Sequence, residues 1–134
     1  MTDRSAEILS KCSNLTSVDF TGCVELTDVS AEYLAQCCQI RVAYFARCPR
    51  LTDLAAEHWA KHTNLEIVDL SFCIGLTTAA AGHLATCPRL QAVSLSCGGH
   101  LRVKPSAVER CFNGTGVTIT WHPCKIDDAE VDGG

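Results

Sequence analysis

The chain has 134 residues, enough for one domain and too few for two ordinary ones. Its formal charge of −4 sits mostly in residues 125–134, where Asp127, Asp128, Glu130 and Asp132 face a single Lys125; the body is nearly neutral and has no basic stripe, so a nucleic-acid partner is not expected. A hydrophobic content of 47% argues against disorder, no apolar run reaches the roughly 18 to 20 residues that cross a bilayer, and Met1-Thr2-Asp3-Arg4-Ser5 lacks the order of a secretion signal. A cytoplasmic or nuclear protein without membrane insertion is expected.

In chain order, Met1-Thr2-Asp3 and Ala6-Glu7-Ile8-Leu9 predict a helix running towards Cys12. Leu15-x-x-Val18-x-Phe20 then places apolar residues alternately, as a short strand with one buried face requires. After Leu26-Thr27-Asp28 the spacing changes to that of a helix, with Ala31, Leu34 and Ala35 three and four apart and Thr27 or Asp28 able to cap the first turn. The same strand and helix return after 25 residues, and again after 50. Leu15, Ile40, Leu65 and Leu90 share one column; Val18, Ala43, Val68 and Val93 another; Phe20, Phe45, Leu70 and Leu95 a third. Six of the ten cysteines follow the same beat: Cys23, Cys48 and Cys73 in one column, Cys12, Cys37 and Cys87 in another, with His62 filling the gap. Pro105 to Cys111 predicts a degenerate helix, and Gly116 to Trp121 a fifth strand. The expected organisation is a half repeat plus about four to five 25-residue repeats over residues 1–124, then an acidic disordered tail over 125–134.

One strand and one helix cannot bury their own apolar faces, but stacked copies can. The fold class expected is α/β: a β-α solenoid with parallel strands lining the concave side and helices the convex side. The small column Ala6, Ala31, Ala56, Ala81 marks close helix packing.

Cys12-Ser-Asn-Leu15-x-x-Val18-x-Phe20-x-x-Cys23-x-x-Leu26-Thr27-Asp28, Cys48-Pro-Arg-Leu51-Thr52-Asp53 and Leu65-Glu-Ile-Val68-Asp-Leu70-Ser-Phe-Cys73 resemble the cysteine-containing leucine-rich repeats of F-box substrate receptors and of antagonist-of-mitotic-exit proteins. The resemblance covers roughly residues 2 to 111. It implies a ribonuclease-inhibitor-like horseshoe whose concave strands bind another protein, in a ubiquitin-ligase (SCF-type) setting. No F-box is expected within these residues, since the stretch ahead of Cys12 is too short to hold one.

No C-x-x-C pair occurs, and residues 25 apart point in parallel rather than towards one centre, so the cysteines are expected to be buried, reduced structural thiols. Cys38 is the more reactive candidate of the Cys37-Cys38 pair. His58, His62 and His83 could face a metal, but His62 reads better as a packed substitute for cysteine. No metal, no cofactor and no enzymatic activity are expected: no nucleophile-and-base motif or phosphate loop stands out from the repeat.

What remains is the concave face, whose outward columns hold Asp19, Tyr44, Asp69, Ser94, Thr118; Thr16, Arg41, Glu66, Gln91; Ser17, Val42, Ile67, Ala92; Thr21, Ala46, Ser71, Ser96, Thr120; and Gly22, Arg47, Phe72. Tyr44 stands between two carboxylates, and Val42, Ile67 and Phe72 are apolar where the solenoid needs no burial. The candidate partner-binding residues are therefore Asp19, Arg41, Val42, Tyr44, Arg47, Glu66, Ile67, Asp69 and Phe72. A sheet about 20 Å across offers fewer contact residues than the 20 to 30 a side of a standard interface, so a short segment or modest binding is expected. The function expected is protein–protein interaction, by substrate or adaptor recognition in ubiquitin ligation or as a scaffold subunit or assembly factor docked edge to edge in a larger complex.

Overall fold

Each period supplies one strand and one helix. In chain order these are α1 (Asp3–Leu9), β1 (Ser17–Asp19), α2 (Asp28–Leu34), β2 (Val42–Tyr44), α3 (Asp53–Ala60), β3 (Ile67–Asp69), α4 (Ala79–Leu84), β4 (Ala92–Cys97), α5 (Pro105–Cys111) and β5 (Thr118–Pro123). The computed structural model describes residues 1–97 and 101–123; the expectations for Cys124 and the acidic segment 125–134 lie outside the described residues.

The strands form one parallel sheet in the order β1-β2-β3-β4-β5. Its register follows the repeat: Val18 lies beside Ala43, Ala43 beside Val68 and Val68 beside Val93. Each helix packs on the next, from α1 to α5, so the chain is a leucine-rich-repeat solenoid with a strand wall and a helix wall. Between the walls lie the columns read from sequence. Phe20, Phe45, Leu70 and Leu95, Leu26, Leu51 and Leu76, and Ala6, Ala31, Ala56 and Ala81 are all buried. Trp59 replaces a leucine of the column that holds Leu34 and Leu84; its ring lies 5.5 Å from Phe45, which lies 5.5 Å from Phe20.

Two polar ladders tie the coils together. The first begins at the helix N-termini. Asp3 accepts from the Thr27 backbone N–H at 2.9 Å and from its hydroxyl at 2.6 Å, and Asp28 does the same for Thr52 at 2.8 and 2.6 Å. Asp53 takes both donors of Thr77 in turn. Each threonine oxygen accepts from the N–H two residues on, at Val29, Leu54 and Ala79, so a helix cap and an inter-coil clamp are one group. In the fourth repeat Thr78 stands where aspartate would, and the pattern becomes Lys104 N–H to Thr78 Oγ1 at 2.9 Å.

The second ladder explains the cysteines. The Cys48 thiol donates to the Phe20 carbonyl at 3.2 Å, and the Cys73 thiol to the Phe45 carbonyl at 3.0 Å. In the other column Cys37 donates to the Ser10 carbonyl at 3.3 Å and Cys87 to the His62 carbonyl at 3.5 Å. His62 is buried; its Nδ1 accepts from the Asn64 N–H, which leaves the proton on Nε2 to donate to the Cys37 carbonyl at 2.7 Å. It does what the thiol does on neighbouring coils, and both ring nitrogens are occupied by backbone.

Four expectations need correction. The first three strands are three residues long, shorter than the apolar pattern from Leu15 to Phe20, because alternate inward residues continue beyond the paired segment. The fifth strand starts and ends two residues later than read, at Thr118 and Pro123. The spacing from β4 to β5 is 26, so Thr120 lies beside Ser94 and Thr118 beside Ala92. Cys12, on the outermost coil, is exposed rather than buried, and Cys23, Cys97 and Cys111 are half-buried.

Candidate protein-binding surface

The strands present a central outward row, Asp19, Tyr44, Asp69 and Ser94, at consecutive paired positions. Asp19 and Tyr44 are exposed, and Asp69 and Ser94 half-buried. The local fold positions both carboxylates: Asp19 Oδ1 accepts from the Thr21 N–H at 3.0 Å, and Asp69 Oδ1 from the Ser71 N–H at 2.9 Å and its hydroxyl at 2.6 Å. The bond from Thr21 holds the Asp19 carboxyl below the ordinary carboxylate range. On the strand-entry side, Arg41 Nε meets Glu66 Oε2 at 2.8 Å across two strands. That pair is largely exposed on the arginine side, so it orders the surface more than it stabilises the fold. Val42 and Ile67 lie half-buried between this pair and the central row.

Beyond the strands the chain turns, and here the structure adds something the sequence did not reveal. Gly22, Arg47 and Phe72 occupy one column, and all three have left-handed backbone, with φ of 78°, 60° and 59°. Glycine adopts this without penalty, whereas a side-chain-bearing residue pays about 1 to 2 kcal/mol. Arg47 and Phe72 hold it side by side: the guanidinium carbon lies 4.3 Å from the centre of the Phe72 ring, and the ring centroid is 6.1 Å from that of His122 on β5. The cation over the phenyl ring, with the imidazole tilted at 46° to that ring, forms the rim of the concave face. The column beneath the rim is a correction: Ala46, Ser71 and Ser96 are buried, not outward. Neighbouring coils close over that position, so only small side chains fit, and the Ser96 hydroxyl serves the fold by accepting from the Phe72 N–H at 2.9 Å. Thr21, in the same column on the outermost coil, stays exposed.

All nine residues proposed from sequence fall on this wall or its rim. A second exposed surface was missed. Val24 and Ile74, one column in the turns, and Val29 and Leu54, one column in the first helical turns, are 43% to 60% exposed. They lie where strand hands over to helix, and their signal was visible as apolar residues outside the inward columns. At the opposite end of the strands, a cavity of about 330 Å³ is lined by Lys11, Cys12, Cys37 and Cys38 with neighbouring polar residues; Cys12 and Cys38 are exposed there. Among the described residues, no group of three or more His, Cys, Asp or Glu side chains is arranged to hold a metal ion, and no helix is long and apolar enough to cross a membrane.

Comparison with solved structures places this geometry among known folds. A chain in the crystal structure of the Rad7 and Elc1 complex in yeast superposes with a TM-score of 0.52 at 18% identity, over 79% of this chain and 32% of that one. The present chain therefore spans about a third of the chain it matches, and the likeness is one of fold. No family model and no curated protein matches the sequence.

Proposed function

We propose that this chain is a non-enzymatic protein-interaction module that recognises its partner on the concave strand wall and the adjoining rim. The observation that carries this reading is the pair Arg47 and Phe72. Two side-chain-bearing residues hold a left-handed backbone where glycine would be free of strain, Arg47 exposed and Phe72 half-buried. Folding alone does not call for them, since Gly22 makes the same turn. Aromatic and arginine side chains are the usual energetic anchors of interfaces.

The setting proposed is ubiquitin ligation, with the adaptor-docking element lying outside these residues. It is supported by the resemblance of the cysteine and leucine columns to cysteine-containing leucine-rich repeats, and by a fold shared with a chain solved as part of the Rad7–Elc1 pair. The second reading, a subunit docked by its edge in a larger complex, draws on the exposed apolar columns of Val24, Ile74, Val29 and Leu54. Affinity purification with mass spectrometry separates the two. The first predicts adaptor and cullin proteins recovered with the wild type and lost from a Tyr44→Ala/Phe72→Ala variant, with partner binding weakened by about 1 to 3 kcal/mol and melting nearly unchanged. Stoichiometric recovery of an unrelated complex, insensitive to that variant, overturns it in favour of the second.

A further inference from the structure

We infer that the partner segment bound by the concave wall is basic, and that one lysine or arginine of it lies over the Tyr44 ring between the carboxylates of Asp19 and Asp69. The inference rests on the concave wall being the binding surface and adds the chemistry of what it takes.

The argument is one of charge left without a counterpart. Asp19, Tyr44 and Asp69 occupy successive strands at paired positions, which puts the two carboxylates about 10 Å apart at their backbones with the phenol ring in the middle. Each carboxylate uses one oxygen, Oδ1, to hold its own turn, and Oδ2 has no hydrogen-bond partner among the described residues. Among the described residues, neither is paired with a cation. Arg41 is committed to Glu66, and Arg47 has its guanidinium over Phe72 on the rim. The row therefore presents two negative charges around an exposed aromatic face, and a cation there gains from both carboxylates and from the ring quadrupole. An acidic segment would meet the same two charges with repulsion. Arg47 at the rim limits the reverse error, because a second basic residue one position further along would face its positive charge. The surface so described favours a single cation in the central row.

The test uses the full chain and a phage-displayed library of random 12-residue peptides, followed by fluorescence anisotropy on an enriched peptide. The expected result is enrichment of peptides bearing lysine or arginine. Their affinity should fall about tenfold in Asp19→Asn/Asp69→Asn, fall similarly when the peptide's basic residue is changed to glutamine, and drop with added salt in the wild type only. Asparagine keeps the Oδ1 acceptor for the turn, and the peptide substitution gives a readout independent of how the variant folds. Peptides lost from Tyr44→Ala/Phe72→Ala but carrying no basic residue, or indifferent to the two asparagines, overturn the inference while leaving the concave surface in place. Peptides held equally by every variant, or a library with no binder, overturn both.

Discussion

Cys73 illustrates what a thiol does in this fold. It fills a small buried site and donates to the Phe45 carbonyl, and burial pushes it up to about 12 from an ordinary 9.0. Burial likewise raises Cys37, Cys48 and Cys87. Because the folded thiol binds its proton more tightly than the unfolded one, its contribution is complete below pH 9.0 and is lost as pH rises towards about 12. The urea midpoint is thus expected to stay flat from pH 7 to 8.5 and to fall steadily above 9; a midpoint that held or rose to pH 10.5 would contradict the burial of these thiols. At this scale the sequence was readable wherever a residue belonged to a column. The Cys-to-His exchange at position 62 could be anticipated for that reason. Arg47 and Phe72 could not, since a left-handed turn is announced only by glycine, and only Gly22 in that column is one. Nor did the pattern reveal that Ala46, Ser71 and Ser96 are covered, because small residues suit exposed and crowded sites alike.

The helices are short, six to eight residues in the described repeats, and would not persist alone. The starts of α2, α3 and α4 are held by a threonine and by the aspartate of the coil before. Asp28→Ala removes both bonds to Thr52 and leaves its N–H without the partner that fixed it, at a cost of about 1 to 2 kcal/mol in urea unfolding. A change below about 0.3 kcal/mol would show the clamp to be incidental. The Leu-Thr-Asp triplets made the helix starts legible, but a cap reads the same in any helix, and its reach to the neighbouring coil was not. The β4–β5 offset also escaped sequence reading: once a loop gains a residue, column-counting no longer says which strand positions face each other, and only the hydrogen-bonded register does.

At the scale of the molecule, stability is a sum over neighbouring coils, and the periodic residues are spent on that sum. Function has to be sought in what departs from the period on an open face. Those departures gather on the strand wall: Tyr44 between aspartates, the Arg41–Glu66 pair, and the strained rim of Arg47 and Phe72. The wall is about 20 Å wide, which suits a short segment better than a folded domain. Once a partner is recovered, hydrogen–deuterium exchange of the full chain with and without it tests this assignment most directly. The concave account predicts new protection over Ser17–Asp19, Val42–Arg47 and Ile67–Phe72, with the turns carrying Val24 and Ile74 and the helix starts carrying Val29 and Leu54 unchanged. Protection confined to those apolar turns and helix starts would contradict it.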